Sequence, residues 1–199
     1  MVVTGFEPFG GLDSNPSSAL LPLLPDRIEG HAVERFVLPV DTDRIAGALE
    51  ALPLERARVV LHLGLALDRR VVSLERVALN IRDFELTDNA GRRVRGDAVV
   101  AGGPLALPVR LPYRAILDAW GAAGIPGEPS SSAGTFLCNQ CLYLSLARLP
   151  AEVRVGFVHV APDEQIFRAR RGPYQPRAVQ AEAVRIALEV ALLAAEDPR

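Results

Sequence analysis

The sequence predicts an α/β fold, and three observations carry that prediction. Short apolar runs alternate with segments of helical character along the chain. One run, Arg58-Val59-Val60-Leu61-His62-Leu63, is almost wholly apolar, as a strand buried on both faces must be. The composition is that of an ordinary globular chain: 199 residues, 49% hydrophobic, with a formal net charge of −2. That length suffices for one domain with a sizeable core, and no repeat or second composition regime divides it, so residues 1–199 read as a single unit.

The elements follow in order. Val2-Val3-Thr4 reads as a first strand, ending in the turn-rich loop Gly5 to Gly11. Asn15 caps a short helix with Pro16 at its first position. Ala32 to Leu38 is a second strand, and Asp41 or Thr42 opens a helix through about Leu52. The central run Arg58–Leu63 follows, then a strand over Val71–Asn80. Asp83 to Leu111 shows no clear period and reads as a long functional or mobile loop. A helix from Pro112 to about Ala123 leads to a loop over Gly124–Ser132. A helix over Leu137–Leu149, a strand over Val153–Val160 and a helix over Pro176–Glu196 complete the chain.

Composition excludes several chemistries. All 22 basic residues are arginine, so no lysine is present for a P-loop, a Schiff base or pyridoxal phosphate. The arginines are scattered rather than clustered, which argues against nucleic acid as a partner. No apolar run approaches a membrane span, and the N-terminus lacks the character of a signal peptide. With two cysteines, the expected setting is the cytoplasm. Gly-x-Ser-x-Gly, His-Glu-x-x-His and Gly-x-Gly-x-x-Gly are all missing. Gly10-Gly11 after a strand is weak evidence for a phosphate cradle and reads more simply as a turn.

Cys138 stands out among the remaining candidates. Small residues Ser131 to Gly134 precede it and the helical pattern begins beside it, which puts the thiol in a first helical turn. The free amides and positive dipole end there favour a thiolate and can hold an oxyanion. A buried structural cysteine is the competing reading. A thiolate nucleophile needs a base near neutral pH, and three histidines are available. His62 sits mid-strand as a core residue, and His31 lies in a turn beside Gly30. His159 lies toward the end of an apolar strand, where ligand sites of α/β sheets gather, and is the expected partner. Glu75, in a mostly apolar strand, is costly there unless paired. It can orient an imidazole, or stand exposed on an edge strand.

These residues resemble the pyroglutamyl peptidase I family of cysteine peptidases. Thr4–Gly11 with Asn15-Pro16 is similar to its N-terminal signature, Glu75–Asn80 to its glutamate segment, Ala133–Asn139 to its nucleophile segment and Gly156–Val160 to its histidine segment. The likeness spans nearly the whole chain. It implies a three-layer αβα sandwich around a mixed, mostly parallel sheet. It further implies Cys138 as nucleophile, His159 as general base and acid, and Glu75 as orienter. The implied substrates are peptides blocked by an N-terminal pyroglutamyl residue, cleaved without cofactor or metal by a homotetramer or dimer. Phe6, Phe9, Leu86, Phe136 and Leu137 would line the apolar ring pocket, with Asn15 supporting the loop beside it. Two segments depart from the family pattern: Leu65 stands at the ring site where a glutamine is usual, and Glu85 where an arginine is usual.

Those departures motivate one rival, a diverged relative with another substrate or a binding role. The spacing Cys138-Asn139-Gln140-Cys141 motivates another, a thiol–disulfide exchange protein or a hydrolase switched off by oxidation of that pair.

Overall fold

The computed structural model describes residues 1–196. Its first strand, β1 (Val2–Phe6), is buried along its length. Asn15 caps α1 (Pro16–Ala19), accepting from the Ser17 amide, with Pro16 at the first helical position as expected. A small hairpin, β2 (Arg27–Ile28) and β3 (His31–Ala32), precedes β4 (Glu34–Leu38). The strand expected over Ala32–Leu38 is therefore interrupted. The Val33 amide turns to the carbonyl of Asp26 instead of joining the ladder. Next come α2 (Ile45–Glu50) and the fully buried β5 (Val59–Leu65). Asp41 does open the segment of α2, its carboxylate accepting from the Asp43 and Arg44 amides before the helix proper begins.

The strand expected over Val71–Asn80 divides into β6 (Val72–Glu75) and β7 (Val77–Leu79). Arg76 is the joint: its amide donates to Ser130 and its carbonyl accepts from Val109. Its guanidinium lies 5.0 Å from the centre of the Tyr113 ring. The stretch that shows no period contains β8 (Arg82–Phe84), β9 (Val94–Asp97) and β10 (Ala106–Pro108). β8 and β9 form a hairpin, and β10 pairs antiparallel with β7. After α3 (Tyr113–Ala122), the expected loop holds an edge strand, β11 (Gly127–Ser130). Then follow α4 (Leu137–Arg148), β12 (Arg154–Val160), α5 (Glu164–Arg170) and α6 (Arg177–Glu196). α5 was not anticipated; Asp163 caps it by accepting from the Gln165 and Ile166 amides.

The main sheet has the order β11-β6-β12-β5-β1-β4. β4, β1, β5 and β12 run parallel, while β6 and β11 run against them. Helices cover both faces, giving the expected three layers and mixed, mostly parallel sheet. On one face α3 and α6 bury Ile116, Trp120, Val184 and Leu188 against Leu61, Leu63 and Val158. On the other, α2 and α4 bury Ile45, Leu49, Leu142 and Tyr143 against Val60, Val155 and Phe157. Alternation along β12 sends Val158 and Val160 toward α6, and Val155 and Phe157 toward α4. The same alternation places His159 on the α4 face. Successive strands β4 and β5 flank β1 on opposite sides. The connections diverge there, and such a switch point opens a crevice at the carboxyl ends of the strands.

Candidate active site

α4 begins at Leu137, so Cys138 occupies its first turn, as the sequence indicates. The amides of that turn have no carbonyl partner within the helix. Cys138 is partly exposed, whereas Cys141, one turn on, is fully buried among the apolar residues between α4 and the sheet. Burial, and then the neighbouring charge of Cys138, push the Cys141 thiol well above its ordinary range, which leaves it inert as a nucleophile. Asn139 follows the nucleophile and fixes the helix start. Its side chain accepts from the Leu79 amide and donates to the carbonyls of Leu79 and Ile81, tying α4 to β7.

His159 is 6% exposed and lies near the end of β12. Its Nδ1 is 2.8 Å from Oε1 of Glu75. β12 and β6 are antiparallel, with His159 opposite Ser73. Glu75, two residues further along β6, is therefore a diagonal neighbour on the same face, within reach of a long side chain. Glu75 is completely buried, so the exposed edge-strand alternative does not hold. The other side of the imidazole meets Cys138. Burial alone would lower the His159 pKa. The charge of Cys138, hydrogen bonds to Cys138 and Glu75, and the charge of Glu75 together overcome it and raise the value to about 9. At neutral pH the histidine accordingly holds a proton beside the Cys138 sulfur.

Gly64 supplies the space for this pair. It lies on β5 where the α4 face would otherwise carry a side chain. A Cβ there would stand 2.6 Å from the Cys138 sulfur and 2.7 Å from the Phe157 ring. Sequence reading missed Gly64; the available signal was a glycine inside an apolar strand, which marks a close approach.

Beside Cys138 a small cleft is walled by Phe6, Phe9, Asn15, Val40, Leu65, Phe136 and Leu137. The residues expected there are thus brought together, with Val40 added and Leu86 standing apart. Leu86 is 48% exposed, beyond the end of β8, where Phe84 packs edge-on against Phe136 at 4.7 Å instead. Asn15 is committed to the surrounding loop, donating to the carbonyl of Glu7 and accepting from the Ser17 amide and hydroxyl. Glu85 faces outward on its hairpin, 3.0 Å from Arg95 and 4.0 Å from Arg93. A roomier groove lined by Leu49, Leu52, Leu54, Leu144 and Arg148 lies toward the other end of α4 and contains neither a thiol nor a histidine.

His62 is the core residue that the sequence implies. Its ring bridges the hydroxyls of Thr4, at 2.7 Å, and Ser145, at 2.9 Å. Burial lowers its pKa to about 3. His31 lies in β3, away from the nucleophile helix. Among the described residues no cluster of three or more His, Cys, Asp or Glu is placed to hold a metal ion. No described helix is long and apolar enough to cross a membrane.

The chain is similar to proteins of one known family. Residues 1–194 match the family model described as pyroglutamyl peptidase. The chain is similar to the crystal structure of pyrrolidone carboxyl peptidase from Thermus thermophilus, with 56% identity and a TM-score of 0.93 over 95% of this chain and 98% of that one. The pyrrolidone carboxyl peptidase from Thermococcus litoralis superposes with a TM-score of 0.90 at 31% identity, covering 100% of this chain and 95% of that one. A pyrrolidone-carboxylate peptidase of Pyrococcus furiosus is 36% identical over 202 residues, covering 96% of this chain and 97% of the relative.

Proposed function

The chain belongs to the pyroglutamyl peptidase family, and from that premise we infer that Cys138, His159 and Glu75 perform its reaction. It is a cysteine exopeptidase that hydrolyses the amide bond after an N-terminal pyroglutamyl residue. One observation carries the assignment of residues: Glu75, His159 and Cys138 stand in hydrogen-bonded order at the mouth of a cleft walled by phenylalanines.

The reaction follows from that order. The lactam ring enters between Phe6, Phe9, Phe136 and Leu65, which sets the exocyclic carbonyl carbon of the scissile amide over Cys138. The thiolate adds to that carbon, and the first-turn amides of α4 receive the oxyanion. As the C–N bond breaks, the His159 imidazolium gives its proton to the departing amine, leaving a thioester on Cys138. The now neutral imidazole takes a proton from water, the hydroxide adds to the thioester, and free pyroglutamate leaves as the thiolate re-forms. Glu75 accepts from Nδ1 throughout, fixing the tautomer and steadying the imidazolium. Leu65 and the phenylalanines supply apolar contact to the ring.

We also assign the protein to the cytoplasm, where two free cysteines are kept reduced, and to a homo-oligomer, a dimer or tetramer. Light scattering coupled to gel filtration tests the second assignment, and a monomer at micromolar concentration rejects it. The deciding assay for the chemistry is cleavage of a chromogenic pyroglutamyl amide. Wild type should cleave it and Cys138→Ala should not. Cleavage retained in the variant would reject Cys138. Rapid alkylation of Cys138 without cleavage would point to the rival reading, a different substrate.

A further inference from the structure

Glu75 poses an electrostatic problem that the triad alone does not solve. Its side chain has no exposure, and its Oε2 has no hydrogen-bond partner among the described residues. An ionised carboxylate so buried is costly without compensation.

The compensation in view comes from Arg69, in the connection between β5 and β6. Its Nη2 lies 4.0 Å from Oε1 of Glu75, an ion-pair distance beyond hydrogen bonding. The same nitrogen donates to Ser130 Oγ at 3.0 Å, and Nη1 donates to Glu128 Oε1 at 3.2 Å. Ser130 and Glu128 are on β11, where Ser130 is the register partner of Glu75 and Glu128 that of Ser73. Ser73 Oγ also donates to Glu128, at 3.0 Å. Two rigid strands therefore clamp the guanidinium fork beside the carboxylate. The fork is planar and permanently charged, so the clamp fixes both its position and its field.

We propose that Arg69 is a positioning residue for the peptidase reaction, held by Ser130 and Glu128 so that its charge keeps the Glu75 carboxylate in place against His159. The inference rests on the triad assignment above. The charged groups that bear on Glu75 are Arg69 from the β5–β6 connection, His159 from β12 with Cys138 of α4 behind it, and Glu128 of β11 through Arg69.

The test compares wild type, Arg69→Met and Arg69→Lys on a fluorogenic pyroglutamyl amide from pH 5 to pH 10, alongside the rate of iodoacetamide alkylation of Cys138 over the same range. Arg69→Met should lower kcat by tenfold or more while KM changes little, as expected when a transition-state interaction is lost. Its alkaline limb should move toward neutrality, because a Glu75 side chain no longer held in place supports the imidazolium less. Arg69→Lys should recover much of kcat and return the limb toward the wild-type position. A fall expressed in KM, or a fall in kcat with both limbs unmoved, overturns the proposal. An upward move of the alkaline limb also overturns it, since that shows Glu75 still set against His159 without Arg69. Should Arg69→Met fail to fold, Arg69→Lys decides: a limb displaced as far as in Glu75→Gln shows that the charge at this position does not hold Glu75. If wild type cleaves no pyroglutamyl amide, the functional reading fails, and the alkylation profile still reads the effect of Arg69.

Discussion

At the scale of single residues, the site depends on one proton and one missing side chain. The proton is on His159. The raised pKa means that the imidazolium predominates below about pH 9 and is lost as pH rises through that value. The imidazolium both steadies the thiolate and protonates the leaving amine, so kcat/KM should fall on an alkaline limb near pH 9, measured on an uncharged pyroglutamyl amide. A limb near the ordinary histidine value of about 6.5 would contradict the ion pair. The missing side chain is that of Gly64. Gly64→Ala should press on the sulfur and on Phe157, lowering kcat about 100-fold through displaced geometry and costing about 1–3 kcal/mol in urea unfolding through overpacking. Cys138, His159 and Glu75 were legible in the sequence because chemistry restricts which residue types can serve. Gly64 and Arg69 were not, because an absent Cβ and a long side chain acquire meaning only from what folding brings near them.

At the scale of elements, the parallel strands and the long helices were legible, and the short antiparallel pieces were not. β5 and β12 are nearly continuous apolar runs with few alternatives open to them. β11 contains glycine and proline in four residues and has no strand propensity of its own; it forms because β6 presents a ladder to pair with. β8 and β9 carry arginines and aspartates that show no alternation, so their pairing is invisible before the chain folds back. Between β1, β5 and α4 lies the polar bridge Thr4–His62–Ser145, whose histidine is neutral in the folded protein. Below pH 6.5 the unfolded chain takes up a proton that the folded one refuses until about pH 3. Stability from this bridge is therefore complete above pH 6.5 and lost as pH falls, by about 2 kcal/mol at pH 5. Urea unfolding at pH 7 and pH 5 should show that loss in wild type. His62→Gln, which can still bond both hydroxyls but does not titrate, should show a smaller one; an equal loss would place the acid sensitivity elsewhere.

At the scale of the whole molecule, the sheet divides labour between its faces. The nucleophile, its histidine and the ring cleft all lie on the side of α4, whereas α3 and α6 fill the opposite side mainly with apolar contacts. Stability and catalysis should therefore be separable. Leu188→Ala, in the fully buried face of α6, should cost about 2–5 kcal/mol in urea unfolding and leave kcat unchanged at temperatures where the protein stays folded. A matching loss of kcat would show that the two faces are coupled. The layered architecture was legible from the alternation of runs, but the reversed direction of β6 and β11 was not, because strand polarity leaves no mark in composition or period.

That reversal sets where the molecule first gives way. β12 is zipped to β5 along its length, Arg154–Val160, but meets β6 only at Val158 and His159. His159 is itself part of this short seam, and Glu75 stands one residue beyond Leu74, the end of the seam on β6. Warming that parts the seam separates the carboxylate from the imidazole while most of the helices and the parallel strands are still intact. The enzyme then carries its own thermal fuse: activity fades at a lower temperature than circular dichroism does, and cooling restores it without refolding the chain.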